Sequence, residues 1–222
     1  MILLTNVIKN YKMKILNLYA GIGGNRKLWS KKHNITAVEF NEKIAKIYKK
    51  NFPQDKVIIA DAHKFLLDNY ENYDFIWSSP PCPTHSRVRL SGIYDKNSSC
   101  RPVYPDMTLY QEILLLKSFA KGFFCIENVI PYYLPLIPPD KKLHRHLYWA
   151  NFPIGDFKTT QDRKHTDIKS DSTVYGFNIK EEKVENKVKV LRNMVDPDLG
   201  NYILNCALGY TPPSKKDQLV IF

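Results

Sequence analysis

Cys82 is the residue of this sequence whose surroundings best suit nucleophilic chemistry. It lies in the segment Pro-Pro-Cys-Pro at residues 80–83, directly after an apolar run at residues 73–77 that predicts a strand. Open α/β sheets place their chemistry at the carboxyl ends of the strands, which is where this thiol would lie. The flanking prolines restrict the backbone, so they would fix the direction in which the sulfur attacks. The alternative is a small apolar residue that closes a strand.

A glycine-rich turn lies upstream, between a predicted strand at residues 14–19 and a predicted helix start at residues 25–30. Its sequence is Ala-Gly-Ile-Gly-Gly at residues 20–24. Glycines in this place let the backbone turn sharply and approach a ligand closely, and a following helix would offer free N–H groups. The spaced third glycine of the dinucleotide-binding fingerprint is missing, so the turn alone does not identify the ligand.

Two acidic residues close the next two predicted strands. Glu39 follows the apolar residues 35–38, and Asp61 follows residues 56–60. The distance of Glu39 from the glycine turn suits a carboxylate that accepts hydrogen bonds from ribose hydroxyls. Together with the turn, the two acids predict a nucleoside-binding edge of a sheet. The alternative for each acid is a solvated cap of the helix that follows it.

These segments, taken in chain order, resemble the motifs of the DNA cytosine-5 methyltransferase family over most of the sequence. The resemblance implies an α/β, Rossmann-like S-adenosylmethionine-dependent methyltransferase fold, with a mostly parallel central sheet and a short inserted target-recognition segment. The matching segments are residues 18–24, Glu39, Asp61-Ala62, the Pro-Pro-Cys segment with Ser86, Glu127-Asn128-Val129, and residues 192–199.

The resemblance also implies the cofactor, S-adenosyl-L-methionine, with S-adenosyl-L-homocysteine as the product of transfer. The glycine turn would hold its methionine part, Glu39 its ribose and Asp61 its adenine amino group. Residues 192–199 would pack beside it. By this likeness the cofactor-binding residues are Tyr19, Ala20, Gly21, Ile22, Gly23, Gly24, Glu39, Phe40, Asp61, Ala62, Pro80, Asn193 and Val195.

The chemistry of this family explains why a cysteine and a glutamate belong together. Carbon 5 of cytosine is a poor nucleophile, so a thiolate adds to carbon 6 and the resulting enamine attacks the methyl group. Cys82 would supply the thiolate. Glu127 follows an apolar, strand-like run at residues 123–126, and its carboxyl group would meet the charge that develops at ring nitrogen 3.

The family's eighth motif is where this sequence departs most from the pattern. The motif is normally a glutamine followed by alternating arginines and a strand, whereas residues 143–152 offer one arginine between two histidines. We assign Arg145 as the cation near the target base or its phosphate, with His146 as the second choice. A Gln-Asp-Arg string at residues 161–163 resembles the motif superficially, but no apolar strand follows it, so we assign it to DNA contact.

The charge balance favours a nucleic-acid partner. The 222 residues include 33 Lys and Arg against 22 Asp and Glu, a formal net charge of +11, which would attract phosphates. The polar loop at residues 86–106 resembles a mobile catalytic loop that closes behind a flipped base; the alternative is an ordinary surface loop. We expect double-stranded DNA to be contacted by Ser86, Arg87, Arg89, His146, Arg163 and Lys164.

The domain organisation is expected to be one catalytic domain, residues 1–153 and 190–222, interrupted by a candidate target-recognition segment at residues 154–189. This segment is short for the family. The enzyme would therefore read few base pairs or take its specificity from a partner subunit. We expect a monomer, with a partner subunit or a cognate restriction enzyme as the protein partners to consider.

Cellular location and metal content also follow from the composition. No apolar stretch reaches membrane-spanning length, and residues 1–10 lack the pattern of a signal peptide, so we expect a cytoplasmic protein. The four cysteines lack the paired spacing of a metal site, and a catalytic thiol needs a reducing compartment. We expect neither a metal nor a disulfide.

Two other functions remain open. An RNA cytosine-5 methyltransferase would use the same cysteine and glutamate, because one branch of the family acts on transfer RNA. A non-catalytic DNA-binding subunit of a methyltransferase complex would have no need for both Cys82 and Glu127. An adenine or exocyclic-amine methyltransferase is disfavoured, since it needs a polar residue before Pro-Pro and an aromatic residue after it, where this chain has Cys82.

Overall fold

A sheet of seven strands forms the centre of the molecule. The computed structural model describes residues 12–93, 100–157 and 173–210. The spatial order of the strands is β3-β2-β1-β4-β5-β7-β6, with β1 to β5 parallel and β7 antiparallel to both of its neighbours. This order confirms the predicted α/β class with a mostly parallel central sheet. The strands are β1 (Lys14–Leu18), β2 (Asn34–Glu39), β3 (Lys56–Ile59), β4 (Phe75–Ser78), β5 (Phe123–Val129), β6 (Lys141–Leu143) and β7 (His146–Ala150).

Helices connect these strands, and short polar side chains fix where several of them begin. Asn41, Asp61 and Asp196 each accept hydrogen bonds from backbone N–H groups of the first helical turn, which have no partner within the helix. Within the described ranges, no helix is long and apolar enough to cross a membrane. The α-helices are α1 (Glu42–Asn51), α2 (Ala62–Asn69), α3 (Thr108–Phe119), α4 (Lys187–Arg192) and α5 (Pro197–Ala207), and two 3-10 helices span Tyr70–Asn72 and Arg87–Gly92.

The segment after the glycine turn differs from the sequence prediction. Residues 25–30, which were predicted to begin a helix, form turns instead. The reason is Arg26, which is 1% exposed and donates to both carboxylate oxygens of Asp55 and to the carbonyl oxygen of Trp29. A buried guanidinium must find partners for its N–H groups, and these contacts draw the chain inward.

Alternating strand residues build a hydrophobic core on each face of the sheet, since successive side chains point to opposite faces. Helix α5 packs on one face and α3 on the other. The two layers hold the ends of the strands at fixed positions along one edge. The first core includes Ile15, Phe75, Trp77 and Cys125, and the second includes Leu16, Leu18, Ile76 and Phe124.

The structure describes both ends of the predicted recognition segment, residues 154–157 and 173–189, and both ends pack on the catalytic core. A small hairpin, β8 (Thr173–Val174) and β9 (Phe177–Asn178), leads into Ile179, and Phe177 and Ile179 are buried in the same apolar cluster as Phe52. Ile154 and Phe157 pack against the core that contains α5. The predicted boundaries of this segment, at residues 154 and 189, stay a prediction. Residues 158–172 lie outside the described ranges.

Candidate active site

The carboxyl ends of β1, β4 and β5 lie side by side. Leu18 of β1 pairs with Ser78 of β4, and Ser78 pairs with Ile126 of β5. The glycine turn follows Leu18, the Pro-Pro-Cys segment follows Ser78, and Glu127 follows Ile126. The register therefore brings the predicted cofactor turn, the predicted nucleophile and the predicted acid to one edge of the sheet, where open α/β sheets bind ligands.

The glycine turn is fixed by positive φ angles and by close packing. Gly21 and Gly23 have φ angles of 55° and 89°, in the left-handed region that favours glycine. A Cβ atom on Gly23 would lie 2.3 Å from the ring of Phe52, and one on Gly24 would lie 2.3 Å from the carbonyl oxygen of Val195. At Gly21 a Cβ atom would meet no described atom within 4 Å. This open space leaves room for a ligand against the turn.

The segment predicted to pack beside the cofactor does reach the glycine turn. Met194 and Val195 are the residues that a side chain on Gly24 would meet. Asn193, in contrast, is exposed, and its N–H group donates to the carbonyl oxygen of Lys189 at the end of α4. Four of the other predicted cofactor residues are buried at this edge of the sheet: Ala20, Ile22, Ala62 and Pro80.

Glu39 joins the end of β2 to the glycine turn. Its Oε2 atom accepts from the N–H group of Gly21 at 3.0 Å, and its Oε1 atom accepts from the N–H group of Asn41 at 2.8 Å. The residue stays partly exposed, and the neighbouring Phe40 is 78% exposed. A carboxylate has acceptor capacity beyond two hydrogen bonds, and an exposed ring offers a face to a base. These residues therefore fit a nucleoside ligand.

Asp61 acts as the cap of α2. Its Oδ1 atom accepts from the N–H group of Lys64 at 3.0 Å, as the alternative interpretation of this acid predicts. The residue is exposed at the same edge as Glu39. A cap uses one carboxylate oxygen, so this contact is compatible with a second contact to a ligand. The role of Asp61 toward adenine stays a prediction.

A buried carboxylate beneath this edge was missed by the sequence analysis. Glu112 of α3 is 0% exposed and accepts hydrogen bonds of 2.6 Å from the hydroxyl groups of Tyr19 and Ser78. The Nδ1 atom of His63 lies 3.2 Å from the same carboxylate. Burial, followed by the charge of Glu112, raises the pKa of Tyr19, and the contact with Glu112 raises the pKa of His63. The only indication of this role in the sequence is that Glu112 lies next to apolar residues of the same helix, Leu109, Ile113 and Leu116.

Cys82 lies in a tight turn after β4. Its carbonyl oxygen accepts from the N–H groups of His85 and Ser86 at 3.0 and 3.1 Å, and the residue is partly buried. Burial raises the pKa of the Cys82 thiol, and the charge of Glu127 raises it further, whereas a backbone hydrogen bond and Lys189 act in the opposite direction. Glu127 is therefore close enough to Cys82 to influence its ionisation.

Glu127 lies within β5 and is 9% exposed. The next residue, Asn128, connects this strand to the nucleophile segment. Its Nδ2 atom donates to the carbonyl oxygen of Pro80 at 3.0 Å, and its Oδ1 atom accepts from the N–H group of Val129 at 2.9 Å. The strand that carries the acid is thus bonded directly to the segment that carries the thiol.

The structure brings His146 to Glu127 and leaves Arg145 in an exposed turn. Strands β6 and β7 form a hairpin whose turn contains His144, with a φ angle of 50°, and Arg145. The carbonyl oxygen of Arg145 accepts from the N–H group of Ile130 at 3.1 Å. His146 begins β7, and its Nε2 atom lies 3.9 Å from the Oε2 atom of Glu127. The geometry therefore favours His146, our second choice, as the basic residue beside the acid.

Arg87 and Arg89, which we assigned to DNA contact, donate hydrogen bonds to backbone carbonyl groups after β5 and beside Cys82. The Nε atom of Arg87 donates to the carbonyl oxygen of Pro131 at 3.4 Å, and the Nε atom of Arg89 donates to that of Pro83 at 2.8 Å. The backbone of Ser86 also pairs with Pro131. These contacts position the loop, and contact with DNA stays a prediction. Arg163 and Lys164 lie outside the described residues.

Comparison with known proteins gives three further findings. Residues 13–131, more than half of the chain, match the profile of the family described as C-5 cytosine-specific DNA methylase. This range contains the glycine turn, both candidate cofactor acids, Cys82 and Glu127. A "tRNA (cytosine(38)-C(5))-methyltransferase" from Mus musculus is 30% identical in an alignment of 86 residues that covers 36% of this chain and 21% of that protein. The matched part thus spans about a fifth of the length of this relative.

Two methyltransferases are among the solved structures to which this chain is similar. A mutant of DNMT2 from Spodoptera frugiperda is 29% identical, with a TM-score of 0.35, over 52% of this chain and 35% of that chain. A SAM-dependent methyltransferase from Agrobacterium tumefaciens is 17% identical, with a TM-score of 0.41, over 59% of this chain and 44% of that chain.

Proposed function

The chain belongs to the C-5 cytosine-specific DNA methylase family, and we propose that it transfers a methyl group from S-adenosylmethionine to carbon 5 of cytosine in duplex DNA. One observation carries this proposal. Cys82 follows β4 and Glu127 lies in the neighbouring parallel strand β5, at the edge where the glycine turn also lies, and the charge of Glu127 raises the pKa of the Cys82 thiol. A non-catalytic binding subunit would have no use for such a pair.

The hydrogen bond between Asn128 and Pro80 supports the same proposal. It ties β5 to the Pro-Pro-Cys segment before any substrate is present. Catalytic groups that are already oriented save the entropy of bringing them together in the transition state. The thiol and the acid would therefore meet an extruded cytosine in a prepared arrangement.

In the proposed reaction, the sulfur of Cys82 forms a bond to carbon 6 of cytosine, and the electrons of the ring double bond become available at carbon 5. Glu127 holds a proton at ring nitrogen 3, where the negative charge would otherwise collect. S-adenosylmethionine, when bound, supplies the methyl group that carbon 5 takes up. The proton of carbon 5 then passes to water, the sulfur of Cys82 departs and the ring double bond is restored, while the donor leaves as S-adenosylhomocysteine.

The charge of Glu127 would link binding of the base to the reactivity of the Cys82 thiol. Burial and the charge of Glu127 raise the pKa of this thiol, which disfavours the reactive thiolate. When Glu127 shares a proton with the base, its negative charge is reduced. One of the two causes of the raised pKa is thereby weakened, so arrival of the correct base favours the thiolate.

The residues at the edge of the sheet suit S-adenosylmethionine. Glu39 keeps acceptor capacity for ribose hydroxyls beside the exposed ring of Phe40, and Asp61 stands exposed at the same edge. The open space at Gly21 allows the backbone to approach the methionine part closely. We assign binding and orientation of the cofactor to these residues.

Transfer RNA is the second candidate substrate. The mouse relative is named for methylating cytosine in tRNA, and it is 30% identical over 36% of this chain. Cys82 and Glu127 would serve either substrate, because the reacting base is the same. A net charge of +11 also suits either nucleic acid. We favour DNA because the family profile, described as that of a DNA methylase, covers more than half of the chain.

A competition assay separates the two substrates. The protein is incubated with S-adenosylmethionine that carries a radioactive methyl group, together with unmethylated plasmid DNA and unmodified tRNA transcripts at equal cytosine concentration. We expect label in the DNA, identified as 5-methylcytosine by mass spectrometry, and none with Cys82→Ser. Label confined to tRNA selects the second candidate. Label in neither nucleic acid contradicts both. Bisulfite sequencing of the plasmid then gives the recognition sequence.

A further inference from the structure

Glu112 connects the segment that precedes the glycine turn with the strand that leads to Cys82. Its carboxylate accepts a hydrogen bond of 2.6 Å from the hydroxyl of Tyr19 and another of 2.6 Å from the hydroxyl of Ser78, the last residue of β4. His63, in the first turn of α2, lies 3.2 Å from the Oε1 atom. One side chain thus contacts three chain segments that meet at the candidate active site.

A carboxylate at this position is costly for stability. Removing a charge from water is unfavourable unless hydrogen bonds and an opposite charge replace the lost hydration. Glu112 is 0% exposed, while Leu109, Ile113 and Leu116 of the same helix are buried without such a cost. An apolar residue at position 112 would serve the core as well or better. Stability alone therefore does not account for Glu112.

Tyr19 is a residue that needs an external partner. Its φ angle of 53° lies in the left-handed region, which residues with a Cβ atom rarely adopt. Strained conformations of this kind persist only where surrounding contacts hold them. The hydroxyl bond to Glu112 holds the ring of Tyr19 against the neighbouring strand end, because Leu18 pairs with Ser78 in the sheet. The start of the glycine turn is thereby fixed to β4.

We propose that Glu112 is a positioning residue that fixes the glycine turn relative to the Cys82 segment. This inference rests on the proposed function, because the separation that it fixes is the one between the methyl donor and the thiol. Group transfer depends steeply on such placement, and a displacement of about 1 Å costs roughly a hundredfold in rate. The hydroxyl of Tyr19 sets the cofactor turn, and the hydroxyl of Ser78 sets the strand end before Cys82.

The two hydroxyl groups are expected to have different effects. Tyr19→Phe keeps the ring and removes one bond to the carboxylate, so binding of S-adenosylmethionine should weaken about tenfold. Ser78→Ala should leave that affinity within about twofold of wild type and should lower the single-turnover rate at saturating cofactor about tenfold. Glu112→Gln should reduce both the affinity and the rate, because it disturbs both bonds.

The experiment combines calorimetry of S-adenosylmethionine binding, single-turnover methylation of the nucleic acid that the wild-type protein modifies, and thermal melting. Asn151→Ala is the control. It removes the hydrogen bond of 2.9 Å that the side chain donates to the carbonyl oxygen of Gly122 and the one of 3.0 Å that it accepts from the N–H group of Phe124, at the start of β5 and so at the opposite edge of the sheet. The control should lower the melting temperature as Tyr19→Phe does, with wild-type affinity and wild-type rate.

Two results overturn the inference. The first is an unchanged affinity in Tyr19→Phe together with an unchanged rate in Ser78→Ala, even if both proteins melt earlier. The second is an equal loss of affinity and rate in Asn151→Ala, because the effects then reflect general destabilisation. If Glu112→Gln does not fold, the two hydroxyl variants still decide. A wild-type protein that binds no S-adenosylmethionine contradicts the proposed function instead, so the two failures are distinguishable.

Discussion

The Nε2 atom of His146 lies 3.9 Å from the Oε2 atom of Glu127, on the antiparallel pair formed by β5 and β7. Glu127 is 9% exposed, so water screens its carboxylate poorly. An imidazole at this distance limits the orientations that the carboxylate can take. Arg145, in contrast, lies in the exposed turn of the β6–β7 hairpin.

His146→Ala should therefore slow the chemical step more than Arg145→Ala does. We expect a loss of roughly tenfold or more for His146→Ala, since the acid at ring nitrogen 3 loses its orienting partner. Arg145→Ala should stay within about twofold of wild type. Single-turnover methylation at saturating cofactor and nucleic acid measures both. A greater loss of rate in Arg145→Ala than in His146→Ala would indicate that Arg145 is the basic residue at the reacting base.

Glu127→Gln should make the Cys82 thiol of the free protein more reactive while it abolishes methylation. Burial is the first cause of the raised pKa of this thiol, and the charge of Glu127 is the second. Removing that charge lowers the pKa, so alkylation by iodoacetamide at about pH 8 should be faster, by up to roughly tenfold for one pKa unit. In both proteins the rate should rise with pH until the thiol is ionised.

Cys82→Ser is the control for this measurement, because Cys100, which is partly exposed and not in a disulfide, also carries a thiol. Its alkylation rate is subtracted from the rates of the other two proteins. An unchanged or slower alkylation of Cys82 in Glu127→Gln would show that the acid does not influence the thiol.

The contact between His63 and Glu112 should stabilise the fold in a pH-dependent manner. The hydrogen bond to Glu112 is the main cause of the raised pKa of His63; burial opposes it, and the charges of Glu112, Asp61 and Asp106 add to it. A raised pKa means that the folded protein binds the proton more tightly than the unfolded chain. The stabilisation is therefore complete below the ordinary value of 6.5 and is lost as the pH rises through the folded-state pKa.

His63→Gln should accordingly melt below wild type at about pH 6, and the difference between the two melting temperatures should shrink by about pH 9. Thermal melts across this range, in one buffer system of constant ionic strength, provide the measurement. A difference that grows with pH has the opposite sign and would exclude a stabilising charged contact at His63.

Asp61→Asn and Asp61→Ala should separate the cap of α2 from cofactor binding. Asparagine is a good N-cap, so Asp61→Asn should keep its stability, whereas Asp61→Ala should lose about 1 kcal/mol of folding free energy with the bond to Lys64. Both variants should weaken S-adenosylmethionine binding by roughly 1–3 kcal/mol, the cost of an unpaired hydrogen-bonding group. Calorimetry and thermal melting test this pair. Wild-type affinity in both variants would remove Asp61 from the pocket.

The strand-end residues could be found from the sequence because parallel strands meet at one edge. Each of these residues ends or follows an apolar run: Glu39, Cys82 and Glu127. The parallel register of β1, β4 and β5 places the ends of these strands side by side. The position of the glycine turn follows from the same pattern. Hydrophobic periodicity is a local signal, and it was sufficient where local order decides the structure.

Contacts between distant segments could not be found in this way. Glu112 is bonded to residues 93 and 34 positions away in the chain, and nothing in the sequence of α3 indicates which side chains an acid will meet. The choice between Arg145 and His146 depended on where a hairpin turn ends, and element boundaries are the least certain part of a sequence prediction. Arg26 changed a predicted helix into turns through a partner in another segment.

The most direct test of the account is a covalent trap at Cys82. Plasmid-length DNA copied with 5-fluorocytosine in place of cytosine presents every short recognition sequence, and fluorine at carbon 5 blocks the release of the sulfur. Incubation with S-adenosylmethionine should yield a protein–DNA adduct that survives denaturing electrophoresis. After nuclease and protease digestion, mass spectrometry should locate the modified base on the peptide that contains Cys82, and Cys82→Ser should form no adduct. If the wild-type protein methylates normal DNA but forms no adduct with the fluorinated DNA, or if Cys82→Ser still forms one, covalent catalysis by Cys82 is contradicted.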